Sequence, residues 1–227
     1  MNVLVVLTSH DQLGDTGKKT GFWVEEFAAP YYKIKDAGYT MTIATPKGGA
    51  APIDPSSEAP DAQTAATERY YQDEDAQKRI ANTEKLSAQK AENFDAVFYP
   101  GGHGPLWDLT NDADSQRLIL EFYNSGKPVA AVCHAPGVFK NVQFENGNSF
   151  VKGKNVTGFA NTEEAAVQLT EVVPFLVEDE LKKLGGNYTK TDDWGVHIVE
   201  DGLLITGQNP ASSDGVAEKL ISLLEAN

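Results

Sequence analysis

The chain is expected to fold as one α/β domain on a mostly parallel sheet, with a sharp strand-to-helix turn presenting a nucleophile. Three observations predict this. Asn2 to Leu7 is a continuous apolar run, the pattern of a central strand buried on both faces. Amphipathic segments at helical spacing alternate with further short apolar runs, as βαβ units require. Finally, Val129 to Val132 stops abruptly at Cys133, and His134 to Gly137 turns the chain into Val138 and Phe139 of a helix. Such a bend lifts one side chain out at the carboxyl end of a parallel sheet, where open α/β sheets bind ligands.

The side chain lifted out is the only cysteine among 227 residues. A lone cysteine is most often an inert core residue. Its place at the elbow, directly before a histidine, favours a reactive reading instead. The first N–H groups of the following helix would favour the thiolate. One cysteine excludes an internal disulfide and fits a reducing, cytoplasmic setting. Any resolving thiol must come from another molecule. The opening residues lack a basic region and a long apolar run, so no signal peptide is expected, and no stretch is long enough for a membrane span. With 33 acidic against 19 basic residues the formal net charge is −14. That balance repels nucleic acid and anionic lipid, and its plainest reading is a solvated, soluble surface.

Thr8 to Lys19 reads as a polar loop, in which His10 is either a site residue or simply solvated. Thr20 is a good N-cap for a helix running to Ala37, with Phe22, Trp23, Phe27, Tyr31 and Ile34 at helical spacing. Pro30 falls inside it and withholds the N–H that would bond the Glu26 carbonyl. A carboxylate at Glu26, among aromatic neighbours, would have a raised pKa suited to proton transfer. The competing reading is an ordinary solvated helical glutamate. Tyr39 to Ala44 alternates as a second strand. Residues 47–92 read as a loop followed by polar surface helices inserted beside the sheet, which would cover the site.

Phe94 to Tyr99 is a third strand, ending in Gly101-Gly102-His103-Gly104. Glycines there let the backbone approach a ligand and supply N–H groups for an anion or oxyanion, although a tight turn is the plainer reading. Asp112 to Ser125 is an amphipathic helix. Asn141 to Lys154 reads as a short hairpin turning at Asn146-Gly147. A strand is expected over Asn155 to Phe159, and a helix start near Thr162, where Glu163 and Glu164 complement the helix dipole. Another helix covers Phe175 to Leu184. Asp201-Gly202 turns a hairpin into Leu203 to Thr206, and a last amphipathic helix ends at Leu224.

Together these stretches resemble the DJ-1/PfpI superfamily, with its class I glutamine amidotransferase-like fold, and more narrowly its Hsp31-like, glyoxalase III-type branch. The matching pieces are Thr20-Gly21 with Glu26 and Pro30, Pro52 to Pro55, Gly101 to Pro105 with Trp107-Asp108, and Ala131 to His134. Thr157 to Phe159 with Glu164, Trp194, and Thr206 to Pro210 complete the set. The resemblance implies a flavodoxin-like three-layer sandwich, a homodimer, and Cys133 as nucleophile beside His134. It implies Glu26 as the acid/base on the thiol proton, and Glu164, with Glu163 as the alternative, as the partner of His134. Gly101, Gly102 and His103 would bind substrate or oxyanion, with Gly102 and the His134 N–H forming the oxyanion site. The implied reaction converts methylglyoxal and related 2-oxoaldehydes to 2-hydroxy acids, D-lactate in the first case, with neither metal nor cofactor. Two other readings go with the resemblance. One is repair of glycated proteins or nucleotides; the other is a stress chaperone that uses Cys133 as a redox sensor. No ligand-spaced metal cluster is visible among four histidines and one cysteine.

Overall fold

The computed structural model describes residues 1–226. The chain opens with β1 (Asn2–Val6), α1 (Val24–Asp36) and β2 (Thr40–Thr45). α2 (Ala65–Gln72), α3 (Glu74–Ala81) and a two-residue β3 (Glu84–Lys85) follow, then β4 (Ala96–Tyr99), α4 (Ala113–Asn124) and β5 (Val129–Val132). The last part holds β6 (Asn155–Val156), α5 (Asn161–Ala166), α6 (Val177–Lys183) and β7 (Asn187–Tyr188). It closes with β8 (Ile198–Asp201), β9 (Leu204–Gly207) and α7 (Ser213–Ala226).

Seven strands form the central sheet in the order β3-β2-β1-β4-β5-β9-β8. All neighbours are parallel except β8, which returns antiparallel to β9 through the Gly202 turn. Alternate strand residues feed two separate cores. Val3, Val5, Phe98, Ala130, Val132 and Ile205 pack under α1 and α7, while Leu4, Val6, Val97, Tyr99, Val129 and Ala131 pack under α4 and α6. Both faces are therefore covered, as a parallel sheet demands, and the result is the expected three-layer α/β sandwich. Among the described residues no helix is long and apolar enough to cross a membrane.

Four local expectations give way to the structure. Thr20 does not cap α1: the helix begins after Trp23, and the Thr20 hydroxyl donates to Asp54 Oδ2 at 2.8 Å. The strand expected over Asn155 to Phe159 shortens to β6, Asn155–Val156, which pairs only with β7 beside the central sheet. The helix after the elbow, Ala135–Asn141, is 3₁₀ rather than α. The hairpin around Gly147 shrinks to a single bridge between Gln143 and Ser149.

Residues 47–92 do not cover the site. Instead, Tyr70, Ala76 and Ile80 of α2 and α3 enter the core beneath α1, and β3 extends the sheet edge. Ile53 bridges Phe22, and Glu25 accepts a hydrogen bond from Thr64, so the segment braces the start of α1.

Candidate active site

The chain reverses at Cys133 with φ +64°, a left-handed conformation that non-glycine residues adopt at a cost of about 1–3 kcal/mol. Its neighbours impose it. The Cys133 N–H donates to the Gly207 carbonyl at 2.9 Å, and its own carbonyl accepts from Phe159 N–H at 2.8 Å. β9 on one side and the segment after β6 on the other thus hold the thiol at the sheet's carboxyl edge. Cys133 is buried.

Glu26, on the first turn of α1, is fully buried against this thiol. Its Oε2 accepts the Gly101 N–H at 2.7 Å, and its Oε1 has no partner among the described residues. Burial pushes the carboxyl up to about 8, with the Cys133 thiol and the Gly101 N–H pulling back only part of the shift. The same environment acts on the sulfur. Burial first, then the Glu26 carboxylate, raise the Cys133 thiol well above its usual range. The expectation of a helix-stabilised thiolate is therefore corrected: low dielectric and a neighbouring acid outweigh a short 3₁₀ helix. The resting pair holds its protons, and a nucleophile arises only when a base takes one.

His134 is placed where such a base would stand. Its Nδ1 lies 3.4 Å from Cys133 Sγ, and its Nε2 lies 2.5 Å from Glu164 Oε2. With Nε2–H donated to the carboxylate, the Nδ1 lone pair faces the thiol. Burial and the adjacent His103 pull His134 down to about 4 against the opposing pull of Glu164, so the ring is neutral. Burial alone would raise Glu164, but the two imidazoles outweigh it and hold the carboxylate well below the usual range.

Glu163 and Glu164 are separated by the structure. Glu164 faces both histidines. Glu163 turns the other way, accepting from Ala160 N–H, Trp194 N–H, Gln208 Nε2 and Asn209 Nδ2 at 2.8–3.1 Å. Two of the expected anion-binding groups are also occupied. The Gly101 N–H is spent on Glu26, and the His103 ring is committed to Glu164 Oε1 at 2.7 Å. Neither is free to hold an oxyanion. The N–H groups of Gly102 and His134 have no partner among the described residues. Gly102 holds φ +98°, and a Cβ there would strike the Gly21 carbonyl. Only glycine lets the loop lie this close to the start of α1. His10 lies elsewhere, stacked on Trp107 at 5.1 Å.

Above the thiol is a cavity of about 50 Å³ lined by Trp23, Gly102, His103, Cys133, His134, Phe159, Val167, Trp194 and Pro210. Its walls are apolar, and no lysine or arginine lines it. The aromatic walls Phe159 and Trp194 figure in the sequence only as pieces of the family resemblance, with no role attached to them. Phe159 lies against the His134 ring at 4.1 Å between centroids.

Residues 19–223 match the DJ-1/PfpI family. The chain belongs to the DJ-1/PfpI family. Among its DJ-1/PfpI relatives, "Glyoxalase 3" of Candida albicans is 30% identical, with all of both chains aligned. "Glutathione-independent glyoxalase HSP31" of Saccharomyces cerevisiae is 31% identical over 98% of each chain. The crystal structure of the Candida albicans glyoxalase III superposes with a TM-score of 0.92 over 100% of this chain and 98% of that one. That of the Rapid Encystment Protein 24 KDa of Francisella tularensis, 36% identical, gives 0.94 over 98% of each.

In this DJ-1/PfpI chain the fold also assembles a trio that no sequence spacing announces. Ligand atoms of His103, His134 and Glu164 lie within 4.8 Å of one another, close enough to hold a metal. Both imidazole Nε2 atoms are, however, bonded directly to the two oxygens of Glu164. A cation would have to break both bonds, so the donor set is already satisfied as a hydrogen-bonded chain ending at the thiol.

Proposed function

We propose that this protein is a glutathione-independent glyoxalase, converting methylglyoxal and similar small 2-oxoaldehydes to 2-hydroxy acids, with D-lactate as the product from methylglyoxal. The observation that carries the reading is Cys133 Sγ facing the free Nδ1 of a neutral His134, beside a protonated Glu26, in a small cavity without cations. Two relatives aligned along their whole length bear glyoxalase names.

His134 takes the thiol proton as Sγ adds to the aldehyde carbon, giving a hemithioacetal. The proton on C1 then moves to C2 through an enediol, with Glu26 and His134 exchanging protons and the Gly102 and His134 N–H groups cradling the oxygen. The result is a thioester of the 2-hydroxy acid. Water hydrolyses it, restoring the thiol, so the sequence is an internal redox isomerisation followed by hydrolysis. Because the enzyme's own cysteine forms the hemithioacetal, free glutathione has no step to perform.

The test is methylglyoxal consumption with D-lactate formation, without added glutathione, for wild type and Cys133→Ala. Wild type is expected to turn over, and the variant to lose at least ~10³-fold in kcat. An inactive, freshly reduced wild type would sink the reading. A pH profile adds a second expectation. Since the His134 imidazole is neutral above about pH 4, the acid limb of kcat/KM should lie near there. His103→Asn keeps a hydrogen-bond donor for Glu164 but removes the neighbouring imidazole, so that limb should move upward. An unmoved limb would disconnect His103 from the base.

A further inference from the structure

We infer that Trp194, held in place by the buried carboxylate of Glu163, sets the size limit on what reaches Cys133. The inference deepens the glyoxalase reading and rests on it for the identity of the substrates.

Trp194 stands at φ +65°, a left-handed conformation unfavourable for so bulky a residue, so its surroundings must impose it. They do so from both sides. Its N–H donates to Glu163 Oε1 at 2.8 Å, and the following carbonyl, of Gly195, accepts from Asn209 Nδ2 at 2.7 Å. Gln208, next to Asn209, donates to the same Glu163 oxygen and accepts the Thr191 N–H at 2.9 Å. Glu163 itself is completely buried. An ionised carboxylate is expensive to bury unless hydrogen bonds compensate it. Here all its donors are neutral amides, and those that come from distant sequence are Trp194 and the two side chains that tie down its loop. The carboxylate takes no part in the His134–Glu164 relay, although it is adjacent in sequence to it.

The clamp fixes an indole that is 47% exposed yet lines the cavity over Cys133. Its ring meets Phe159 edge-on, with centroids 5.8 Å apart, and Phe159 in turn backs the catalytic imidazole. The cavity is small, about 50 Å³. That suits an aldehyde with a hydrogen or methyl substituent on its ketone carbon and excludes one with an aromatic ring. Trp23, the other indole of the wall, is fixed at the start of α1 by its N–H to the Gly101 carbonyl. Trp194 and Val167 are the wall residues that project to solvent, and Trp194 is much the bulkier of the two.

The lone cysteine makes a test possible that needs no turnover. Alkylation rates of Cys133 by iodoacetamide and by the bulkier N-phenylmaleimide are compared in wild type, Trp194→Ala, Trp194→Phe and Glu163→Gln. Changes in thiol acidity, which loss of the Glu163 charge also brings, alter both rates alike. The ratio of bulky to small reagent therefore reports access. It is expected to rise about ten- to a hundredfold in Trp194→Ala, less in Trp194→Phe, and in the same direction in Glu163→Gln. The ratio of kcat/KM for phenylglyoxal to that for methylglyoxal should rise in parallel. An alkylation ratio unchanged in Trp194→Ala would overturn the size limit. A rise there without one in Glu163→Gln would remove Glu163 from the inference. Absence of turnover in wild type would remove the glyoxalase reading while the alkylation ratio still decides the role of Trp194.

Discussion

Glu26→Gln is expected to lose catalysis and gain stability at the same time. The substitution keeps the shape of the side chain and an oxygen for the Gly101 N–H, but it can neither accept nor return a proton. Loss of a positioned acid/base typically costs about 10²–10⁴ in rate, and kcat/KM for methylglyoxal should fall by that much. Stability moves the other way. The carboxyl ordinarily ionises near 4.5, and in the fold near 8. Between those values the folded state binds more protons than the unfolded chain, so stability falls as pH rises from about 4.5 to about 8. An amide has no such dependence. At pH 8 the variant should therefore be more stable by a few kcal/mol, or roughly 5–10 °C in melting temperature, and the gain should vanish near pH 4. Melting curves at pH 4 and pH 8 decide it. A variant destabilised equally at both would mean that folding does not raise the pKa of the wild-type carboxyl.

Glu164→Ala should do the most damage after loss of the thiol itself. It strips the acceptor from two buried imidazole N–H groups, each costing about 1–3 kcal/mol when left unsatisfied. More importantly, it frees the tautomer of His134. With Nδ1–H facing Sγ, the ring cannot take the thiol proton, and in comparable triads the wrong tautomer costs about 10⁴ in kcat. A fall of about 10³–10⁴ in kcat with a smaller change in KM is expected. If kcat stayed within tenfold of wild type, the relay would not serve the reaction.

The parts of this site that were legible in the sequence are those set by local chemistry. A β-branched run broken at Cys133 can only turn, and the resulting elbow is visible without tertiary contacts. Glu26 announced itself by the aromatic residues and the proline around it on one helix. The tertiary pairings were not legible. Glu163 and Glu164 are equivalent as acids in a first helical turn. About 100° of helical rotation sends one to the histidines and the other to Trp194. His103 follows two glycines, which suggested a ligand cradle; only the approach of α5 shows that its ring serves a carboxylate. The short run at β6 has strand chemistry, but nothing in it says which of two sheets it joins.

The strand order has a consequence for how activity is acquired. Glu26, Gly102, Cys133, Glu164 and Trp194 arrive from segments far apart in the chain, and β5 meets β9 only after some seventy intervening residues (Val129 with Leu204) have been gathered in. Parallel, long-range pairings of this kind form late and slowly. The elbow is pinned by the Gly207 carbonyl, so no partly folded form that lacks β9 has a shaped site. During synthesis Cys133 is expected to gain its Gly207 partner only once β9 has been added. Recovery of turnover after denaturation should accordingly lag behind recovery of helix, and enzymatic competence doubles as a report that the sheet has closed.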